Sequence, residues 1–459
     1  MEKAEIQHLY RRAGFGILPK QLEKLHGQSR KVILKKLFKS SEKVKDLKIA
    51  TPELSAYVKK VLQSDKKPKI TPEIRKKSRQ KHLPYNKAWV ERMAYAKEEL
   101  AERMTLFWSN HFVVRSRNIF YTQQYYNTMR KHALGNFKEL VVAISKEPAM
   151  LDYLNNQQNK KNKPNENFAR ELMELFTLGV GNYTESDIKQ SARAFTGWSH
   201  NFSGDFKIRK KQHDYGEKTF FGKTGNFEGE DIIAMILEKK ECAQFICKKI
   251  YQHFVNETIN EVHISKMAAV FRKDYNIKTL MKFIFSADWF YDANNIGNKI
   301  KSPVDVLVGL MRVVPFEIEK PKDLIYIQRL LGQQLLEPPN VAGWAEGKSW
   351  IDANTMMVRL KLPSVLLKNG QIAFDVKGAF EESFEEFNKN RNFNRKLQVI
   401  KKWDVFNENY GSLSYQELIF HILTPIKNKA TLDFLKSLEK TDQQEFCIQL
   451  MSLPEYQLC

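Results

Sequence analysis

The sequence predicts an all-α protein, a mainly helical multi-helix array with one short β-hairpin near residues 205–222. Apolar residues recur every three or four positions through most segments, as in Trp89, Met93 and Leu100 or Ile188, Ala192 and Phe195, which lines them along one helix face. Between Ser199 and Gly229 that period stops, and Phe206-Lys207-Ile208 and Thr219-Phe220-Phe221 sit between glycines as hairpin strands do. Hydrophobic residues are 42% of the 459, and aromatics 12%, enough apolar area for a sizeable core. Three parts follow: 1–85, a basic helical head and mobile connection; 86–367, the main helical core; and 368–459, a C-terminal helical tail packed on that core.

Ile6, Leu9 and Tyr10 open a short helix that ends at Arg11-Arg12-Ala13-Gly14-Phe15-Gly16, where two glycines bracket an aromatic. A second helix begins at Pro19, and Val32, Ile33, Leu37 and Phe38 mark the third. Thr51-Pro52-Glu53 and Thr71-Pro72-Glu73 both place Pro in a helical first turn, while the Lys-rich stretch 66–81 reads as a mobile connection. From Asn86 one apolar stripe runs through Met104, Phe107 and Trp108 to His111. His111 is therefore either a core histidine satisfied by one hydrogen bond or a site histidine facing a cleft. Residues 121–134, 137–145 and 147–154 continue as helices.

The stretch 165–179, Asn-Glu-Asn-Phe-Ala-Arg-Glu-Leu-Met-Glu-Leu-Phe-Thr-Leu-Gly, reads as a helix with a hard stop at Gly179 and Gly181. Phe168, Leu172 and Leu175 form its apolar side, and Asn167, Arg170, Glu171 and Glu174 form a polar stripe. Such a stripe is either solvated or the wall of a site. Thr184 then caps a helix that carries Arg193 and ends at Thr196-Gly197-Trp198. His213 and Asp214 are adjacent, so they can serve one site only if a loop holds them both toward it. Helices resume over 230–236, 243–254, 265–271, 279–291, 303–314 and 324–331. Pro338-Pro339 and Gly343-Trp344 rule out regular structure across 338–344, so Trp344 and Trp350 either plug a loop onto the core or line a pocket. The tail from about residue 369 is charged and Asn-rich, then helical again.

Net charge is +22, and residues 1–85 hold +15 of it, with 23 Lys and Arg against 8 Asp and Glu. A segment this basic suits a solvated face, an acidic partner or nucleic acid. The longest apolar run, 304–316, is broken by Asp305 and Arg312, so no membrane span is expected. The N-terminus lacks the apolar centre of a secretory signal, which predicts a cytoplasmic protein. Cys242, Cys247, Cys447 and Cys459 lack the paired spacing of a zinc site, no metal is expected, and nothing in the sequence names a cofactor.

Five blocks together resemble the bacterial family known as domain of unknown function 1800. They are His8 to Gly16; Glu102-Arg103-Met104 with Phe107 to Phe112; Asn167 to Leu172 through Thr196-Gly197-Trp198; His213-Asp214 with Lys218-Thr219-Phe220; and Pro338 to Val341 with Gly343, Trp344 and Trp350. The resemblance implies a mostly helical fold and no particular reaction. It also implies frequent export and a sulfatase-like companion encoded nearby, although this chain departs from the pattern in showing no export signal.

These blocks supply the candidate site. Glu171, Glu174, His111, His213 and Asp214 are the candidate catalytic groups, and Arg12, Asn167, Arg170, Arg193, Trp198 and Trp344 the candidate substrate-binding ones. If Glu171 and Glu174 share an apolar wall, repulsion and desolvation raise one pKa and leave a usable acid; Arg170 and Arg193 are the natural counter-charges. With a histidine as base, hydrolysis of a polar or anionic substrate is the expected chemistry. The alternative is a non-catalytic helper in which the same charges form a structural network and the basic face docks an acidic partner, such as the sulfatase-like companion. A second alternative is nucleic-acid binding through residues 1–85.

Overall fold

At the centre of the molecule lies the helix Glu99–His111, on which every residue except Asn110 is buried. The computed structural model that shows this describes residues 1–63, 71–368, 397–424, 429–438 and 441–459. A helix enclosed on all sides must satisfy its charges internally, because an unpaired buried ion costs several kcal/mol even after relaxation. Glu102 meets this condition by accepting from Arg130 Nε at 3.0 Å and Trp89 Nε1 at 3.2 Å, with Arg92 Nε 2.6 Å away. Arg103 donates from Nε to the carbonyl of Gly14 at 2.9 Å and pairs with Asp305. The second block of the sequence is thus an ion network that ties the central helix to its neighbours.

One continuous apolar core surrounds this helix, running from Ile6 and Leu9 through Trp108, Phe168, Ile250 and Leu310 to Tyr456. The head helices Lys3–Ala13, Pro19–Leu25 and Arg30–Ser40 belong to it, the last packing on Ile277–Ser286 and on the central helix. From the first of them Gln7 donates to Phe420 O at 3.0 Å, and Arg11 to His421 O and Leu423 O at 3.0 and 2.7 Å. Of the stretch expected to be a mobile connection, the part before residue 71 lies outside the described residues. The rest differs from that expectation: Pro72–Gln80 is a helix, started by the Thr71 side chain accepting from Ile74 N and by Pro72 in the first turn. The charged beginning of the tail, 369–396, also lies outside the described residues. Beyond it the helix Gln443–Met451 packs on Ala353–Leu367.

The molecule is mainly helical, with small antiparallel two-stranded hairpins. Where one hairpin was expected, two form. β1 (Trp198–His200) pairs with β2 (Phe206–Ile208), and β3 (Lys218–Phe220) pairs with β4 (Lys223–Gly225). Both expected strands exist, but each pairs with its nearer neighbour. The turn at Phe221-Gly222 explains the second pairing, since both residues take positive φ, +48° and +76°, as two-residue hairpins require. A further pair joins β5 (Phe316–Ile318) to β6 (Val399–Lys401).

The stretch 165–179 begins as the α-helix Asn167–Glu171 and widens into a π turn over Leu172–Thr177. Leu178 N reaches back five residues to Met173 O at 2.8 Å, and Gly179 N shares that carbonyl at 3.1 Å. Gly179 is required there: its φ is +80°, and a Cβ would sit 2.9 Å from the Phe245 ring. π turns inside helices are frequent at functional sites.

Candidate functional site

The π turn, the end of the central helix, the helix Lys240–Phe254 and the loop 340–347 enclose a cleft of about 780 Å³. The loop is held by Asn110, which imitates a backbone partner: its Nδ2 donates to Trp344 O at 3.1 Å and its Oδ1 accepts from Trp344 N at 2.8 Å. Gly343, at φ +83°, lies so close to Asn110 that a Cβ would fall 2.3 Å from Oδ1. Trp344 itself is 6% exposed, so its ring both plugs the loop and forms cleft wall.

His111 lines the cleft at the junction of the central helix and the π turn. Its Nε2 lies 2.9 Å from Phe176 O. A carbonyl can only accept, so Nε2 carries the proton and Nδ1 the lone pair. Phe107, Trp108, Phe112 and Phe176 crowd the ring. Burial, opposed by the Phe176 bond, pushes its pKa down to about 3. Near neutral pH it is therefore an uncharged acceptor and a weak base.

Glu174 also lines the cleft and accepts from the Tyr183 hydroxyl at 2.8 Å. Three residues earlier on the helix, Glu171 is half-buried beside Glu174 but is not one of the residues that line the cleft, and it makes no hydrogen bond or ion pair among the described residues. Burial, then the charge of Glu174, hold its carboxyl above the usual range, with Arg170 pulling the other way. Arg170 is otherwise engaged: it donates to both Glu185 oxygens at 2.7 and 2.9 Å and to Glu166. Asn167 turns inward to Leu154 O at 3.1 Å.

The floor of the cleft contains groups that sequence reasoning did not single out. Glu346 accepts from Asn110 Nδ2 at 3.1 Å and lies 3.2 Å from His253 Nδ1. Burial opposes its ionisation, yet His253, Lys299 and Asn110 hold its pKa well below the ordinary value. Lys299 donates to His253 O; burial lowers its pKa, with Glu346 acting against the shift. Glu257 Oε1 is buried without a hydrogen-bond partner, beneath Gly347, where a Cβ would lie 2.4 Å away. Lys249 and Gln252 complete the polar wall. Among the described residues no three His, Cys, Asp or Glu side chains gather as a metal site would require.

The remaining sequence candidates lie elsewhere. Arg193 was the expected counter-charge of the helix carboxylates; instead it donates to Asp214 Oδ2 at 2.7 Å, and from Nη1 to Glu217 O at 2.9 Å. Burial raises the pKa of Asp214, but Arg193 and the Gly216 N–H outweigh it and leave the carboxyl below its usual range. His213 is 1% exposed, donates from Nδ1 to Thr196 O at 2.7 Å, and has Nε2 3.2 Å from Glu228 without a hydrogen bond. Lys218 Nζ closes the loop by donating to Asp214 O at 2.7 Å and Gly216 O at 3.0 Å. A loop does hold His213 and Asp214, but as a lock that fastens the hairpins to the helix Glu185–Ala194. Trp198 is buried edge-on to Phe195 and Phe206 in the same lock. Arg12 is 2% exposed and donates to Asn295 O at 2.9 Å and Asn298 Oδ1 at 2.6 Å.

The five blocks therefore divide between a cleft and the supports that hold it, spread over most of the chain. A protein family described as a protein of unknown function, DUF1800, matches residues 8–458. The chain belongs to the DUF1800 family. No curated protein and no solved structure matches it. Within this DUF1800 chain no described helix is long and apolar enough to cross a membrane.

Proposed function

We propose that the cleft binds a polar substrate and that Glu171 and Glu174 transfer protons in its hydrolysis. The observation that carries this reading is that neither carboxylate is closed by an arginine: Arg170 is taken by Glu166 and Glu185, and Arg193 by Asp214. A structural network would have paired them. Glu171, held in its acid form to higher pH, protonates the leaving group; Glu174 takes the proton of the attacking water. Lys249, Lys299 and Glu257 give the wall groups of both signs for recognition. His111, uncharged, offers Nδ1 as an acceptor and no longer serves as the base.

The test is a hydrolysis panel of carboxylic, phosphoric and sulfuric esters, glycosides and peptides, run with the wild type and Glu171→Gln. Turnover that falls about 10²- to 10⁴-fold in the variant supports the reading; a wild type inert to every class, or a variant as active as the wild type, refutes it. A helper role is a second reading, favoured because Arg12, Asn167, Arg193, His213 and Asp214 all contact protein groups. It predicts that the sulfatase-like companion is retained in a pull-down, and an empty lane counts against it.

A further inference from the structure

Part of the cleft wall is already paired with protein. Glu346 accepts from Asn110 and faces His253, Asn110 is spent on Trp344 and Glu346, and Lys299 donates to His253 O. The strongest groups left free are acceptors. His111 Nδ1 keeps its lone pair, because Nε2 donates to Phe176 O. Glu174 gives one oxygen to the Tyr183 hydroxyl and keeps the other. Glu257 keeps both: no hydrogen bond or ion pair reaches it among the described residues, and its Oε1 is buried.

The chain holds Glu257 in place from two sides. It follows the helix Lys240–Phe254, whose end is fixed by Val255 N and Asn256 N donating to Tyr251 O at 2.8 and 3.1 Å and by Asn256 Nδ2 donating to Asn295 Oδ1 at 2.8 Å. Over it, Gly347 takes φ +66°, and the loop can close on the carboxylate only because no side chain intervenes. Among the influences on the pKa of Arg12, burial comes first and the charge of Glu257 last, and the Arg12 Nη2 donates instead to Asn295 O and Asn298 Oδ1.

Free donors stand in the same wall. They are Lys249 Nζ, 5.6 Å from the centre of the Phe245 ring, the Gln252 amide, and Asn340 Nδ2, whose companion Oδ1 accepts from Ala342 N at 2.9 Å. A hydroxyl both donates and accepts, so a wall offering both roles at several points matches a ligand with several hydroxyls. Half-buried Phe245 and exposed Val180 give the cleft an apolar side for the C–H face of a sugar ring. A phosphate or sulfate ester presents acceptors and negative charge, and would meet the free carboxylate oxygens of Glu174 and Glu257. The volume of about 780 Å³ is that of a small-molecule site.

We infer that the ligand of this cleft is a neutral saccharide, whose hydroxyls donate to Glu257, Glu174 and His111 Nδ1, and that Glu257 sets this specificity. The saccharide class rests on the cleft being the substrate site and narrows its substrate to one rich in hydroxyls and free of ester anions.

Isothermal titration calorimetry of the full chain with cellobiose, xylobiose, mannobiose, maltose, lactose and N,N′-diacetylchitobiose, and with a sulfated form of each, tests this without needing turnover. At least one neutral disaccharide should bind saturably, one per chain, and its sulfated form at least about tenfold more weakly. Glu257→Gln keeps the shape and removes the charge; it should weaken that disaccharide about tenfold or more, as loss of a hydrogen bond to a charged group does. Lys249→Met should weaken it by a smaller factor and serves if the Glu257 variant does not fold. No saturable binding of any neutral disaccharide, a sulfated form bound as tightly as its parent, or equal affinity in wild type and both variants overturns the proposal. Saccharide binding by a chain that hydrolyses nothing keeps this site and removes the hydrolysis; turnover of esters or peptides without saccharide binding does the reverse.

Discussion

His111 makes the clearest quantitative prediction. Its folded pKa of about 3 lies below the ordinary histidine value of 6.5, because burial disfavours the imidazolium. The unfolded chain therefore binds a proton that the folded chain refuses, and stability is lost as pH falls from about 6.5 toward 3. Between pH 7 and pH 5 the unfolded histidine becomes almost fully charged while the folded one stays neutral, a cost of about 2 kcal/mol. His111→Gln keeps a donor for Phe176 O and removes the titration. Urea denaturation of both proteins at the two pH values measures the difference. Wild type should lose about 2 kcal/mol more than the variant. Parallel losses would mean that the ring is protonated in the folded state and that water reaches it.

Other perturbations follow from the same packing. Glu147, 7% exposed, has its pKa raised to about 7 by burial, opposed by Thr128 and Gln124, so stability falls as pH rises from about 4.5 to 7. Glu147→Gln should flatten that slope, worth about 3 kcal/mol by pH 8, in denaturation curves across the range. Glu102→Ala leaves Arg130 and Arg92 facing a buried void and should cost about 3–5 kcal/mol by thermal or urea unfolding. Gly179→Ala forces a side chain into positive φ against Phe245 and should cost about 1–3 kcal/mol; an unchanged Tm contradicts the π-turn geometry. Asn110→Ala should speed amide hydrogen exchange over residues 340–347 while the helices keep their protection.

Helices were legible because a 3.6-residue period repeats over many residues, and Gly179 with Gly181 marked the end of the key one. The π turn before them was not, since one extra residue per turn over six positions leaves no periodic trace. The strand at 206–208 was legible and the second was expected one residue late, at 219–221 where 218–220 forms, but their partners Trp198–His200 and Lys223–Gly225 are three residues each, too short for alternation to register. His111, Glu174 and Trp344 pointed to the cleft as side chains of recognisable chemistry. Asn110 stood beside His111 unnoticed, because its role as a surrogate backbone depends on a loop more than two hundred residues away. Arg193 was assigned the wrong carboxylate for a related reason: only the folded hairpins bring Asp214 to it.

In the proposed hydrolysis Glu171 is a carboxylic acid kept ready by its surroundings. For the substrate that the panel identifies, the measurement that tests it most directly is the pH dependence of kcat/KM in wild type and Arg170→Ala. Arg170 lowers the Glu171 pKa, and removing it leaves both carboxylates in place. The expected profile has an alkaline limb above the ordinary carboxyl range that moves to higher pH in the variant. A limb that stays where it was, or a rate independent of pH from 4.5 to 8, would contradict it.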